Sequence, residues 1–196
     1  MKNSYRRFLF RQSLLGIITI LILLHGISTS MAQANPAASD TASLATKRLR
    51  ILVVNGPNIN LLGRRQPDIY GHMTLDEINR RMKELGEKLN VELIFVQSNS
   101  EGAIVDAFQA HFDDVDGAIM NAAGYSQHSI AIHDVVGAVP FPTIEVHISN
   151  IAARDEWHRA DVIMPVVKSA VVGFGWRGYL LALQGLTENL RDGMKK

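Results

Sequence analysis

From residue 48 onward, the chain alternates between two patterns of apolar residues. Short, nearly continuous apolar runs are typical of strands buried on both faces of a sheet. Segments with apolar residues at every third or fourth position are typical of helices. The patterns predict strands at 48–55, 91–97, 117–121, 143–147 and 169–172, and helices at about 74–89, 104–112, 129–136 and 179–190.

The order of these elements predicts the fold. Strands and helices alternate strictly, which indicates a parallel sheet with helices on both faces. Five strands indicate a flavodoxin-like α/β arrangement. Thr74 and Glu77 have the spacing of a capping box, so we expect the first helix to begin there. With no internal repeat and no second linker, residues 48–196 are predicted to form one domain.

The pattern before residue 48 is that of an export signal. Four basic residues precede an apolar run at 14–24, and small residues then offer cleavage sites after Ala32 or Ala34. This order is typical of a secretory signal peptide. A membrane anchor is the alternative, but a run of 11 apolar residues is shorter than a spanning helix, which needs ~20. Arg6 and Arg7 also fit a twin-arginine signal, so the export route stays open.

Removing this leader changes the meaning of the net charge. The chain has 20 Lys and Arg against 19 Asp and Glu, a formal charge of +1. Residues 1–32 contain four of the bases and no acid, so the remaining 164 residues have 16 bases, 19 acids and a net charge of −3. We expect a periplasmic protein with a disordered spacer at 33–47 and no stable membrane anchor. An acidic body gives no reason to bind nucleic acid.

Several kinds of functional site are excluded by the composition and motifs. The absence of cysteine excludes disulfides, thiolate nucleophiles and cysteine-bound metals. No grouping of Asp, Glu and His has a recognisable metal-ligand spacing, so no metal site is predicted. Neither a phosphate-binding loop nor a dinucleotide fingerprint is present. We therefore expect chemistry without a cofactor.

Candidate functional residues follow the predicted strands, where ligands bind in parallel α/β sheets. The loop at 55–73 is much longer than the usual ~2–6 residues of such connections, and it contains Arg65 and Tyr70, which indicates a lid. The fourth strand ends at His147, which can act as an acid or base near neutral pH. The backbone N–H groups and the Ser149 hydroxyl after it can hold a carboxylate.

These residues suggest a dehydration. Tyrosine has a reference pKa of ~10 and acts as a base near neutrality only if a cation, such as Arg65, favours its anion. A tyrosinate could remove a proton next to a carbonyl while His147 protonates a departing hydroxyl. Such a reaction needs only an enolate intermediate.

Five segments resemble the type II 3-dehydroquinate dehydratases. They are NGPNINLLGRRQPDIYG, QSNSEG, NAAGYS, PTIEVHISNIAARDEW and GFGWRGYLLAL, and the resemblance covers about residues 50–185. It implies a flavodoxin-like fold and trimers assembled into a dodecamer. It also implies a cofactor-free anti elimination of water from 3-dehydroquinate, which gives 3-dehydroshikimate through an enolate.

The resemblance also assigns roles to individual residues. Tyr70 matches the base, Arg65 the lid arginine that supports it, and Asn58 the residue that orients the water stabilising the enolate. His147 matches the general acid, steered by Glu145. The positions that match substrate-binding residues are Asn121, Gln127, Asp134, Ile148, Ser149 and Arg154, with Asp134 near a subunit boundary.

The chain departs from the family pattern at several positions. Gln127 stands where the family usually has a histidine, and His133 stands where an arginine usually precedes the acid. After Arg154 the family usually continues with Glu, Phe and Arg and reaches a Ser. Here the stretch contains Asp155, Trp157, His158 and Asp161. We expect these changes to affect the pocket wall that grips the ring hydroxyls, and not the Tyr/Arg/His chemistry.

Two functions of different class remain. The first is an exported dehydratase acting in quinate catabolism. The second is a weak or inactive relative that binds cyclic polyol carboxylates, and the Gln127 substitution is the feature that favours it. A pure binder would have little reason to keep Tyr70, Arg65 and His147, which favours the enzyme. Flavin binding is a weaker third possibility, based on fold analogy alone.

Overall fold

A computed structural model describes residues 47–194. They contain a five-stranded parallel sheet in the order β2-β1-β3-β4-β5. The prediction of a parallel α/β fold is confirmed, and each strand begins and ends within one residue of its predicted position. The strands are β1 (Leu49–Asn55), β2 (Val91–Gln97), β3 (Gly117–Asn121), β4 (Thr143–His147) and β5 (Ser169–Val172).

Six α-helices connect or flank these strands. Four of them match the predicted helices, and two single-turn helices were not predicted. In chain order they are α1 (Pro67–Tyr70), α2 (Leu75–Lys88), α3 (Glu101–Ala110), α4 (Ile130–Ala138), α5 (Glu156–Arg159) and α6 (Arg177–Met194). Short 3-10 turns lie at Ile59–Leu61, Ala123–Gln127, Ile151–Ala153 and Met164–Val166.

The hydrophobic core has two halves, one on each face of the sheet. Leu49, Ile51 and Val53 of β1 pack on one face with residues of α2 and α6. Leu52 and Val54 pack on the other face with residues of α3 and α4. Successive strand side chains point to opposite faces, so a strand covered on both sides must be apolar at both. This explains the continuous apolar runs in the sequence.

Side-chain caps fix the starts of helices α2, α3 and α4. The hydroxyls of Thr74, Ser100 and Ser129 accept hydrogen bonds from backbone N–H groups of the first turns of α2, α3 and α4. The predicted capping box is half formed. Glu77 does not complete it, because its carboxylate contacts Arg80 at 3.4 Å.

A buried hydrogen-bond group joins two strand ends. The Tyr179 hydroxyl, from α6, donates to Asn55 Oδ1 at 2.6 Å and accepts from Asn121 Nδ2 at 3.0 Å. Tyr179 is completely buried, which raises the pKa of its hydroxyl and keeps it neutral. The carboxyl-end edge of the sheet is therefore held rigid where β1 and β3 meet.

The loop after β1 begins with a close approach that only glycine allows. A Cβ on Gly56 would lie 2.4 Å from the backbone oxygen of Ala122. Ile59 and Leu62 then bury their side chains in the core, so the base of the predicted lid is anchored. Beyond them, the chain turns through positive φ at Gln66 and enters α1, which ends at Tyr70.

Among residues 47–194, no helix is both long and apolar enough to cross a membrane. The predicted signal peptide, its cleavage sites and most of the predicted spacer lie outside the described residues.

Candidate active site

A cavity of about 250 Å³ opens at the carboxyl ends of the strands. Nine of the eleven predicted site residues line it: Asn58, Arg65, Tyr70, Asn121, Gln127, His147, Ile148, Ser149 and Arg154. Glu145 lies directly behind His147, within contact distance of its ring. The lid, the strand ends and the loop after β4 thus bring ten predicted residues into one site.

Asp134 is the exception. It is exposed on α4 and is not part of the cavity lining. Its neighbour His133 is not part of the cavity lining either, and its Nδ1 lies 2.7 Å from the backbone oxygen of Val162. Within one chain, the structure does not bring Asp134 to the site.

Two arginines contact the hydroxyl of Tyr70. Arg154 donates to the phenol oxygen at 3.0 Å and Arg65 at 3.4 Å. The Arg65 guanidinium also lies 4.8 Å from the centre of the phenol ring. The Tyr70 hydroxyl thus has two cationic hydrogen-bond donors beside it. The sequence suggested this role for Arg65 alone, and the structure adds Arg154.

His147 is held by two buried carboxylates. Its Nε2 lies 3.0 Å from Asp161 Oδ2 and 3.2 Å from Glu145 Oε1. The ring is 5% exposed and Glu145 is not exposed at all. Burial of the ring disfavours its charge, but the hydrogen bond to Asp161 and the negative charge of both carboxylates raise the pKa of His147 to about 9. The ring is therefore an imidazolium at neutral pH.

The two carboxylates differ in how well they are satisfied. Asp161 Oδ1 accepts hydrogen bonds from the backbone N–H groups of Ile163 and Met164. Neither oxygen of Glu145 has a hydrogen-bond partner among residues 47–194. Burial raises the pKa of Glu145, although the neighbouring His147 opposes this effect. Asp161 is thus the hydrogen-bonded partner of His147, and Glu145 supplies a second, unbonded contact.

Asp161 corrects one expectation from the sequence. It was expected on the pocket wall, away from the Tyr/Arg/His group, and this was wrong because its carboxylate contacts His147 directly. Gln127, Trp157 and His158 do line the wall as expected. The Trp157 ring lies against His158 with centroids 3.4 Å apart and an interplanar angle of 32°, and Trp157 is 62% exposed. No periodic pattern relates Asp161 to His147, so the sequence offered no signal for their contact.

The other polar residues are partly committed to the protein itself. Asn121 donates to Tyr179 and accepts from the Ala123 N–H, which leaves it one N–H and one lone pair for a ligand. Gln127 donates to the Ser126 hydroxyl. The backbone N–H of Asn58 donates to Asn99 Oδ1 at 3.0 Å. Asn99 follows β2 at the same sheet edge and was not singled out from the sequence.

Three residues of types that can bind metals come together in the described chain. One donor atom each of Glu145, His147 and Asp161 lies within 4.8 Å of the others. A carboxylate only accepts hydrogen bonds, so Nε2 of His147 donates to Asp161 and has no lone pair for a cation. The sequence missed this grouping because Asp161 lies 14 positions beyond His147. The prediction of chemistry without metal or cofactor stays a prediction.

Comparisons with known proteins agree with one another. A sequence model of a family described as dehydroquinase class II matches residues 49–187. A 3-dehydroquinate dehydratase of Campylobacter jejuni subsp. doylei is 49% identical over 140 residues, which are 71% of this chain and 88% of that protein. The crystal structure of a type II dehydroquinase from Propionibacterium acnes superposes with a TM-score of 0.70 at 39% identity. That superposition covers 73% of this chain and 98% of the other.

A more distant structure shares the fold at lower similarity. A 3-dehydroquinate dehydratase-like protein from Bifidobacterium longum has a TM-score of 0.55 at 29% identity and covers 72% of this chain. The part of the chain that these relatives share is the part that contains the cavity.

Proposed function

Because the chain belongs to the class II dehydroquinase family and is therefore a hydro-lyase, we propose that it removes water from 3-dehydroquinate to give 3-dehydroshikimate. One observation carries this proposal. A tyrosine hydroxyl held by two guanidinium groups and a histidine held by two carboxylates face one cavity. The tyrosine with its two arginines is suited to take a proton, and the histidine with its two carboxylates is suited to give one.

The reaction begins with proton removal by Tyr70. Its phenolate, stabilised by Arg65 and Arg154, takes a proton from the carbon next to the substrate's ketone. The electron pair of the broken C–H bond moves toward the carbonyl and gives an enolate. Asn58 lines the same cavity, where it orients the water that stabilises the enolate oxygen.

The second half of the reaction depends on His147. The imidazolium gives its proton to the departing hydroxyl, which leaves as water. The electron pair of the enolate returns and forms the new carbon–carbon double bond, so the product is a conjugated ketone. Before the next turnover, Tyr70 releases its proton to solvent and His147 takes up a proton from solvent. No electron acceptor is needed.

The substrate carboxylate requires donors that are not consumed by the protein. The loop after β4 offers the backbone of Ile148 and the hydroxyl of Ser149, which also lies 3.5 Å from Arg154. Asn121 contributes its remaining N–H. These groups lie beside His147, so a bound carboxylate fixes the ring of the substrate against the acid.

The test is direct. Purified protein is mixed with 3-dehydroquinate at neutral pH, and the ultraviolet absorbance of the conjugated product is followed. We expect turnover without added metal or cofactor, and unchanged turnover in the presence of a chelator. A folded preparation that gives no absorbance change would refute the proposal. The alternative, a binder of cyclic polyol carboxylates, would then be checked by calorimetry with quinate.

We propose further that the enzyme is exported and serves quinate catabolism in the periplasm. The support is the leader pattern of residues 1–32, with cleavage near Ala32 or Ala34. Cell fractionation, followed by determination of the N-terminal residue of the isolated protein, tests this proposal. An intact N-terminus in the cytoplasmic fraction would contradict it.

We also propose that the protein assembles from trimers, as a dodecamer by resemblance to its family. Ile130 on α4 is 60% exposed, and Asp134 lies one helical turn further on the same helix. A neighbouring subunit that covers Ile130 would also reach Asp134, which is how this residue could approach a site. Light scattering of the wild type and of Ile130→Glu tests the assembly, and we expect the variant to dissociate.

A further inference from the structure

We propose that Asp161 is a positioning residue for His147, which holds the ring with a proton fixed on Nε2 so that the acid proton resides on Nδ1. The inference rests on the proposed function in taking His147 as the general acid. It assigns a role to a residue that neither the sequence pattern nor the family resemblance assigned.

The first support is the anchoring of the Asp161 carboxylate. Oδ1 accepts backbone hydrogen bonds from Ile163 at 3.0 Å and Met164 at 2.9 Å, and Oδ2 lies 3.0 Å from His147 Nε2. The side chain is 7% exposed. Both oxygens are thus used, and the two backbone bonds hold the carboxylate in place from outside β4. A fixed, charged acceptor can orient a histidine ring that would otherwise rotate.

The second support is the contrast with Glu145. Its Oε1 is 3.2 Å from the same nitrogen, yet neither oxygen has a hydrogen-bond partner in the described chain. Glu145 is also the more deeply buried of the two. Glu145, which the family resemblance predicts to steer His147, therefore makes only a second contact. The hydrogen bond to the ring is made with Asp161.

This contact decides which ring nitrogen titrates. An ionised carboxylate has no proton to give, so Nε2 must carry one in both charge states of the ring. The neutral ring then has its lone pair on Nδ1, and the second proton binds there. Both carboxylates lie at Nε2, so Nδ1 is the nitrogen left for a substrate in the cavity that His147 lines.

The charges around His147 make the removal of Asp161 consequential. Glu145 is the other anion beside the ring. Arg154 from the loop after β4 and Arg65 from the lid are cations of the same cavity, which also contains Tyr70 and, from α5, His158. Without Asp161, one buried carboxylate of raised pKa would remain against two arginines. The imidazolium would have no hydrogen-bonded carboxylate, so it would lose its proton at a lower pH.

The experiment is an NMR titration of the His147 ring nitrogens in the wild type, Asp161→Asn and Asp106→Asn. Asp106 is exposed on α3, outside the cavity lining, so its variant makes the same charge change without touching His147. The His147 signals are assigned by their loss in His147→Gln. In the wild type we expect a neutral ring protonated on Nε2 and a pKa of about 9.

In Asp161→Asn we expect the pKa of His147 to fall by about one unit or more, and the neutral ring to be a mixture of both tautomers. The alkaline limb of kcat should move to lower pH by the same amount. Asp106→Asn should behave as the wild type. An unchanged pKa and tautomer in Asp161→Asn would overturn the inference, and so would a wild-type neutral ring protonated on Nδ1.

Two features keep the test decisive. The wild-type tautomer is measured without any substitution, so a variant that fails to fold does not remove the test. Asp161→Ser, which removes the carboxylate, is a second variant in which we expect the same fall in the pKa of His147, and an unchanged pKa would count against the inference. The titration uses no substrate, so absence of turnover by the wild type would count against the proposed function alone. Normal turnover with an unaltered His147 in Asp161→Asn would count against the role of Asp161 alone.

Discussion

Tyr70 and His147 face the same cavity, but the protein prepares them by opposite means. Tyr70 ends a single helical turn in a loop, and its hydroxyl is contacted by two cations. His147 ends β4, an interior strand of the sheet, and its ring is contacted by two buried carboxylates. The neighbours of His147 favour the charged form of its ring, whereas the neighbours of Tyr70 are positively charged hydrogen-bond donors. The cations therefore lie on the Tyr70 side of the cavity, and the anions lie on the His147 side.

The two sides also differ in the elements that position them. A base on a loop can close over a substrate after binding, whereas an acid on a strand is positioned in advance. The anions of the acid side come from β4 and from the turn after α5, and both are buried. The cations of the base side come from the lid and from the loop after β4. Arg154 therefore links the lid to the strand side of the site.

The largest expected effect breaks the base side alone. In Tyr70→Phe the base is lost while the ring and its packing remain, so we expect kcat to fall by roughly 10²–10⁴-fold with KM nearly unchanged. Steady-state kinetics with 3-dehydroquinate measures the effect. Tyr125→Phe, which removes a hydroxyl that donates to the backbone of Asn99, is the matched control and should retain most of the rate. A substantial residual rate in Tyr70→Phe would show that another group is the base.

The acid side should be visible in folding stability. The folded pKa of His147 is about 9, above the ordinary value of 6.5, so its charge stabilises the folded state fully below pH 6.5. This contribution is lost as the pH rises from 6.5 toward 9. A pKa difference of this size corresponds to a free energy on the order of a few kcal/mol. Denaturant unfolding between pH 6 and 9 should show a steeper decline for the wild type than for His147→Gln. Equal slopes would show that the ring carries no such charge.

The third prediction separates the two arginines of the base side. Arg154 is nearer to the Tyr70 hydroxyl than Arg65 and also reaches Ser149. We expect Arg154→Gln to lower kcat by roughly 10–100-fold, at least as much as Arg65→Gln, because hydrogen bonds to a charged group contribute about 1.5–3 kcal/mol.

Arg64→Gln is the control for this pair. Arg64 is exposed on the same lid and lies outside the cavity lining, so the rate should not change. If Arg65→Gln alone impaired kcat, the contact of Arg154 with the Tyr70 hydroxyl would have no catalytic weight.

The two sides also differ in how far the sequence predicted them. The strands were found because residues such as Ile51 and Val54 must be apolar on both faces of the sheet. Strand ends such as His147 then followed from the parallel arrangement. The single-turn helices were missed because four residues are too few for a helical period. The length of the lid loop and the need of Tyr70 for a nearby cation led to Arg65, whereas Arg154, which also donates to the Tyr70 hydroxyl, was assigned only to substrate.

Contacts between distant residues could not be predicted in this way. Asp161 reaches His147 across 14 positions of the chain, through the loop that contains α5. Its backbone bonds to Ile163 and Met164 are local, but nothing in that local pattern indicates a histidine. Tyr179 similarly takes up part of the Asn121 amide from 58 positions away. Tertiary packing, and not local preference, decides which polar atoms remain for a ligand.

The smallest expected effect concerns the wall between the two sides. Gln127 lines the cavity, but its Nε2 donates to Ser126 at 2.8 Å, so the side chain is tied to its own loop. Gln127→His should change KM by less than about tenfold and leave kcat and its pH dependence unaltered, because one uncharged hydrogen bond contributes only about 0.5–1.5 kcal/mol. Steady-state kinetics across pH measures both. A change in kcat comparable to that of Arg154→Gln would mean that the wall containing Gln127 contributes to the chemical step, as the Tyr70 side and the His147 side do.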